Sequence, residues 1–163
     1  MTTVLNQLTF DNCSKGLASQ GESIEKTTKR SLWQSLTFQE GAIAHITQNL
    51  TEMYGKTGIL TIPFQLNEKA GKVNVGVAVK SKELGVSVMY PFNAGSSSAA
   101  RKVSIQINFD KNVVHCLVNG KKKGLIFNGP KDLRKTSFGL FVETKNQGSC
   151  ISILNNEITF VQK

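Results

Sequence analysis

Histidines, cysteines and facing carboxylates are the side chains that most often carry catalysis, and this sequence holds few of them. His45 alternates with Ala44 and Ile46 in a run that reads as a strand, and His115 sits between Val114 and Cys116. Successive strand side chains point to opposite faces, so His115 and Cys116 cannot serve as base and nucleophile from one strand. Acids are scarce. A glycosidase built on a β-sandwich needs two carboxylates across a groove; Asp110 and Glu143 are candidates in name only. No DxDxDG calcium loop, HExxH pair or phosphate-binding P-loop occurs. The expectation is a protein that is not an enzyme, with no catalytic residue, metal or cofactor.

Positive charge is the more prominent chemistry. Lys121-Lys122-Lys123 follow Asn119-Gly120, and Arg134 and Lys135 form a second group with Lys131. Asn-Gly favours a tight hairpin, so the three lysines are expected on a protruding turn. Ammonium groups there suit contact with phosphates. Lysine binds as a point charge, so reading of base sequence is not implied. No aromatic residue interleaves the lysines to stack bases. Lys121, Lys122, Lys123, Arg134 and Lys135 are therefore candidates for binding a polyanion, nucleic acid included. The alternative is a solvated hairpin tip whose charge blocks edge-to-edge aggregation.

The whole chain sets the bounds on these readings. Its 163 residues fit one domain, taken as 1–163, and the net charge is +9. Residues 101–163 carry eleven Lys and Arg against four Asp and Glu. Such asymmetry raises the prospect of an acidic partner, with plain solubility as the alternative. A hydrophobic fraction of 39% describes a globular chain. The longest apolar runs are far too short for a membrane span. The first residues lack the basic and apolar segments of a secretory signal. Cys13, Cys116 and Cys150 make an odd count with no CxxC pair, so reduced thiols in a cytoplasmic protein are expected.

The elements that would position these groups are strands. Val103, Ile105, Ile107 and Phe109 alternate strictly with Ser104, Gln106 and Asn108, the period of a half-buried strand. Asp110-Lys111-Asn112 reads as a turn, Val113 to Val118 as a second strand, and Leu125-Ile126-Phe127 as the start of a third. Residues 103–127 thus form a predicted three-stranded meander. Alternation recurs through Val73 to Val79, Leu84 to Val88, Leu60 to Leu66, Phe138 to Val142, Ile151 to Ile153 and Ile158 to Phe160. Pro63 cannot donate to a ladder, so its strand should be an edge or carry a bulge. Gln48 to Tyr54 can form one helical turn. Ser14 to Ser31 is expected to be irregular, and Asn93 to Ala100 to be a flexible loop. Asn6 to Phe10 and Asn156 to Phe160 resemble each other and can lie side by side as strands. Many short strands between turns predict an all-β, two-sheet antiparallel sandwich or a barrel.

From about Leu36 onward the order of features resembles a SPRY domain, a β-sandwich of the concanavalin-like kind. Val103 to Asp110, Val113 to Val118 and Asn119-Gly120-Lys121 look like that family's strand, turn, strand and hairpin, continued by Gly124-Leu125-Ile126-Phe127. Gly58 to Leu66 with Val73-Asn74-Val75-Gly76-Val77-Ala78 looks like its strand pair. Phe138 to Val142 and Cys150 to Ile153 look like its last two strands. The family's aromatic-rich strand is replaced by Ile59-Leu60-Thr61-Ile62, and Trp33 lies outside the matched strands. The resemblance implies a module that binds a protein or peptide through loops at one end of the sandwich. The matching loops are Met89 to Ala100 and Glu143 to Ser149, with Tyr90, Phe92, Asn146 and Gln147 as contact candidates; Tyr90 and Phe92 can equally cap the core.

Two rival readings stand beside it. One is a nucleic-acid-binding, jelly-roll, coat-like protein, against which Met1 to Gly21 offers only Lys15 as a basic arm. The other is a carbohydrate-binding sandwich, for which an exposed Trp33 would supply the aromatic platform.

Overall fold

A computed structural model describes residues 7–14, 17–19, 21–26, 42–81 and 85–162. In chain order the strands are β1 (Asn12–Cys13), β2 (Leu17–Ser19), β3 (Ser23–Lys26), β4 (Ala42–Ile46), β5 (Ile59–Leu66), β6 (Val73–Ser81), β7 (Val86–Asn93), β8 (Arg101–Asn108), β9 (Val113–Val118), β10 (Lys121–Asn128), β11 (Phe138–Thr144), β12 (Cys150–Ile153) and β13 (Thr159–Val161). One helical turn, α1 (Leu50–Met53), is capped by Asn49, whose side chain accepts from Glu52 N. It falls within the predicted Gln48 to Tyr54.

The strands form two antiparallel sheets. One has the order β1-β4-β11-β6-β7. The other has the order β10-β9-β8-β5-β12-β3-β2, with β13 also paired to β5. The inward-facing alternate residues of both sheets meet in one apolar cluster. Val75, Val77, Leu140 and Val142 enter it from the first sheet, and Phe64, Ile105 and Ile107 from the second. Each of those last three side chains is fully buried, which contributes about 1.5–3 kcal/mol apiece through removal of apolar surface from water. The predicted class, an all-β two-sheet sandwich, is the observed one. The predicted meander is present as β8-β9-β10, and its hairpin turns on Asn119 (φ 51°) and Gly120 (φ 84°). Two successive positive φ values are what a two-residue turn between right-twisted strands requires.

Four details depart from the sequence reading. Lys121–Lys123 are not on the turn; they are the first residues of β10, with Lys121 opposite Val118 and Lys122 opposite Leu117. Pro63 lies in β5, which has neighbours on both sides and no bulge against β8. Its carbonyl accepts from Leu154 N, so its missing N–H faces the break between β12 and β13, where no ladder donor is needed. Within Ser14 to Ser31, Leu17–Ser19 and Ser23–Lys26 pair as strands, although only Ile24 among them is a buried apolar residue. Residues 27–31 lie outside those described, as do Lys15, Trp33, Leu36 and Leu84. Finally, Thr159–Val161 pairs with β5, but Leu8 to Phe10 is not a strand. The two chain ends still meet, because Asn155 accepts from Leu8 N and donates to Leu8 O.

Candidate functional site

Strand direction brings three loops to one end of the sandwich: 67–72 between β5 and β6, 94–100 between β7 and β8, and 145–149 between β11 and β12. They wall a groove lined by Glu68, Lys69, Gly71, Ser96, Ser97, Ser98, Asn146 and Gln147. The predicted flexible stretch and two of the four predicted contact residues therefore share one surface. Both amide side chains are exposed there.

The loops are held by short-range bonds. Asn67 donates to Gly148 O (2.8 Å) and accepts from Cys150 N (3.0 Å). Asn146 Nδ2 donates to Lys69 O (3.3 Å), and Ser149 Oγ donates to Asn146 O (2.6 Å). Gly71 is in the left-handed region (φ 59°), and a Cβ there would sit 2.2 Å from Asn146 Nδ2. A groove fixed in this way loses little entropy when a ligand binds.

Beneath it lies Arg101, which is 7% exposed. Its Nη2 donates to Gly71 O (2.5 Å) and Gly95 O (3.3 Å), joining two of the three loops. Its Nη1 is buried with no hydrogen-bond partner. Burial pulls the guanidinium below its ordinary pKa, though arginine stays charged in proteins. Other buried polar residues gather at this end, among them Lys26, Thr144 and Ser149; Thr144 Oγ1 likewise lacks a partner. The sequence reading passed over Arg101. The signal was its parity: Arg101 precedes Val103, Ile105, Ile107 and Phe109 in the inward phase of the strand.

Tyr90 and Phe92 do not line the groove. They sit opposite Val77 and Val75 on the inward face of β7, half-buried against the core. Tyr90 meets Phe127 edge-on with centroids 5.0 Å apart. A Cβ on Gly124 would lie 2.5 Å from the Phe92 ring, so the glycine leaves room for an aromatic side chain that ties β7 to β10.

The five polyanion candidates divide. Lys121–Lys123 start β10 at the loop end, whereas Arg134 and Lys135 follow its other end, roughly 25 Å away for a strand of eight residues. Within β10, Lys122 pairs with Leu117 and perturbs His115 on the outer face, while Lys123 lies against Gly95 and perturbs Cys116 on the inner side. Arg134 is engaged by Asp132, Nε to Oδ1 and Nη2 to Oδ2, both at 3.0 Å.

A second concavity of about 660 Å³ lies on the outward face of the five-stranded sheet. Its lining includes Asn12, His45, Lys56, Ala78, Lys80, Met89, Lys135 and Gly139. Burial lowers the His45 pKa, opposed by the nearby charge of Asp11. His115 is half-buried on the outer face and Cys116 fully buried on the inner one, with the Cys116 thiol pushed up to about 11 by burial. The three cysteines are unpaired. Among the described residues no group of three or more His, Cys, Asp and Glu could hold a metal ion, and no helix is long and apolar enough to cross a membrane.

Two antiparallel sheets enclosing one core, with a groove of loops at one end, define an antiparallel β-sandwich. The fold is that of the SPRY domains. The chain is similar to the SPRY domain of human HERC1 over 93% of its own length and 99% of that domain, with a TM-score of 0.55 and 9% identity. It is similar to the TRIM65 PSpry domain over 91% of this chain and 92% of that one, with a TM-score of 0.51 and 11% identity. The carbohydrate recognition domain of Emp46p aligns at a TM-score of 0.48 and 9% identity, over 88% of this chain and 85% of that one. No protein-family model and no curated protein matches the sequence.

Proposed function

We propose that this chain is a non-enzymatic binding module that recognises a peptide or protein segment in the groove walled by loops 67–72, 94–100 and 145–149. The observation that carries the reading is the convergence of Ser96–Ser98 with Asn146 and Gln147 on a surface already cross-bonded by Asn67, Ser149 and Arg101. Small hydroxyl and amide side chains on rigid strand ends supply adaptable hydrogen bonding to a peptide backbone. The fold shared with SPRY domains agrees with this use. Tyr90 and Phe92 support the groove from the neighbouring strand by fixing β7 against β10.

The test is selection of random short peptides against the whole chain, followed by affinity measurement with Asn146→Ala/Gln147→Ala. Recovered peptides should bind the wild type and lose about tenfold or more in the double variant, roughly 1.4 kcal/mol. Peptides indifferent to both residues would overturn the reading.

A second reading draws on the cleft beside His45. Its mixed lining of Ala78 and Met89 with hydroxyl, amide and ammonium groups suits a small polar ligand such as a saccharide. Binding on a glycan array that is lost in Met89→Asp but kept in Asn146→Ala would favour it. The polyanion reading ranks below both, because its five cations do not form one patch.

A further inference from the structure

We infer that the cleft beside His45 takes a saccharide carrying a phosphate or sulfate ester, with Lys56, Lys80 and Lys135 holding the oxyanion. This rests on the second reading above, in which the cleft binds a small polar ligand, and adds the chemistry that ligand carries.

The hollow follows from the register of three strands. Gly139 of β11 lies opposite Ala78 of β6, and Ala78 lies opposite Met89 of β7. Leu140, Val77 and Val79 point into the core, so Gly139 and Ala78 face outward. Two adjacent positions on that face therefore carry nothing larger than a methyl group. A Cβ on Gly139 would meet Ile46 O at 2.6 Å, so the smallest residue is required there. At about 660 Å³ the cleft has the size of a small-ligand site, and a free oxyanion would leave most of it empty.

Positive charge gathers on this cleft from separate parts of the chain. Lys80 stands two residues beyond Ala78 on the same face, opposite Ser87. Its backbone N–H donates to Ser137 O (2.9 Å), which ties the loop after β10 to the sheet and brings Arg134 and Lys135 into the lining. Lys56 enters from the segment after α1. Glu52 is the single acid among the described lining residues. Asp132 engages Arg134 and acts on Lys135 as well. Among the described residues Lys56 and Lys80 have no ion pair.

The form of the charge selects the anion. An ammonium is a compact charge with three rotatable donors. A tetrahedral ester offers three acceptor oxygens aimed in different directions, which matches ammonium groups arriving from separate elements. A carboxylate fits a planar fork, and the fork in this cleft, Arg134, is already closed on Asp132. Asn12, Thr47 and Ser87 elsewhere in the lining suit sugar hydroxyls.

The experiment presents the whole chain with an array of mono- and disaccharides, each in neutral, carboxylated, sulfated and phosphorylated form, and measures the affinity of each binder by calorimetry. The sulfated or phosphorylated form should bind about tenfold or more tighter than its neutral counterpart, and the two arms tell which ester is preferred. Lys56→Ser and Lys80→Ser should each weaken the ester by about tenfold and leave the neutral sugar unchanged. Lys121→Ser/Lys122→Ser/Lys123→Ser removes more charge outside the cleft and should alter neither. The chain has two histidines. On titration with the ester, the NMR signals of the His45 ring should shift and those of His115 should not. Equal binding of neutral and charged forms, lost in Met89→Asp, overturns this inference and keeps the reading of the cleft as a saccharide site. Preference for the carboxylated form overturns the choice of anion. An ester that leaves His45 unshifted, or that depends on Lys121–Lys123, overturns the placement in this cleft. Failure of every form to bind overturns both readings.

Discussion

Arg101 and Arg134 are the same residue at opposite ends of one sandwich, and their surroundings differ in every respect that matters for binding. Arg134 sits in an irregular loop at the surface, two residues from Asp132, and both ends of its fork are engaged by that carboxylate. The pair raises the pKa of the arginine and holds the aspartate carboxyl below its ordinary range. Among the described residues Arg101 forms no salt bridge; it donates to the backbone carbonyls of Gly71 and Gly95 and is buried. A cation satisfied by its own loop contributes little to partner choice. A desolvated cation with a buried, unpartnered donor is costly to the fold. The strand supplies the difference: Arg101 occupies an inward position of β8, and the sheet holds it where water cannot compensate it.

The largest effect expected from breaking this contrast is in Arg101→Ala. Loss of its bonds to Gly71 O and Gly95 O should lower unfolding free energy by about 1.5–3 kcal/mol, measured by chemical denaturation. Cysteine labelling sharpens the point. Cys150, at the start of β12 beside loop 145–149, should react faster in the variant, while Cys116, buried and with its thiol pushed up to about 11, stays silent until global unfolding. Equal acceleration at both would mean that Arg101 supports the whole core and not the loop end alone.

Next in size is Gly71→Ala. It places a side chain at φ 59° and against Asn146 Nδ2, so a loss of about 1–3 kcal/mol in stability is expected, together with weaker binding of any peptide that uses Asn146. Unchanged affinity would remove Asn146 from the site. Smaller again is the response to polyanions. Generic RNA and DNA should show no anisotropy change at physiological salt, and Lys121→Ser/Lys122→Ser/Lys123→Ser should alter little at low salt. A log–log salt slope equivalent to several phosphate contacts, at about −0.9 per contact, would restore the nucleic-acid reading.

The smallest effect belongs to Asp132→Asn, which should leave the thermal midpoint unchanged because the pair is at the surface. Its pH dependence has a definite sign. The carboxyl pKa is lower in the folded than in the unfolded chain, so whatever stability the pair adds is fully present above the ordinary aspartate range. It is lost as pH falls through the lowered value. Titration of the Asp132 carboxyl by NMR should show a midpoint below that of an aspartate in a short peptide. An ordinary midpoint would erase the contrast with Arg101.

Periodicity made most of the fold legible. Alternation in Val73 to Val79, Leu60 to Leu66, Val103 to Phe109 and Phe138 to Val142 marked strands and their buried faces, because a period of two leaves one face for the core. Asn119-Gly120 marked the hairpin, because few other pairs take two positive φ values readily. The same local cues misplaced what depends on neighbours. Leu17–Ser19 and Ser23–Lys26 carry too little apolar signal to announce strands, and they pair because β12 and β3 offer open edges. Pro63 is admitted to a strand with two neighbours because β12 ends and β13 begins beside it. The lysines after Gly120 continue the ladder instead of capping it.

The sequence by itself determined the sandwich class, the meander of β8 to β10, the loop 94–100 and Asn146 and Gln147 as loop residues, since each follows from local period, turn chemistry or family resemblance. Only the tertiary structure decided which loops share a groove, that Tyr90 and Phe92 turn inward against Phe127 and Gly124, and that Arg101 is buried with its Nη2 joining Gly71 to Gly95. Those facts depend on sheet order and on contacts between residues far apart in the chain, and no local pattern encodes them.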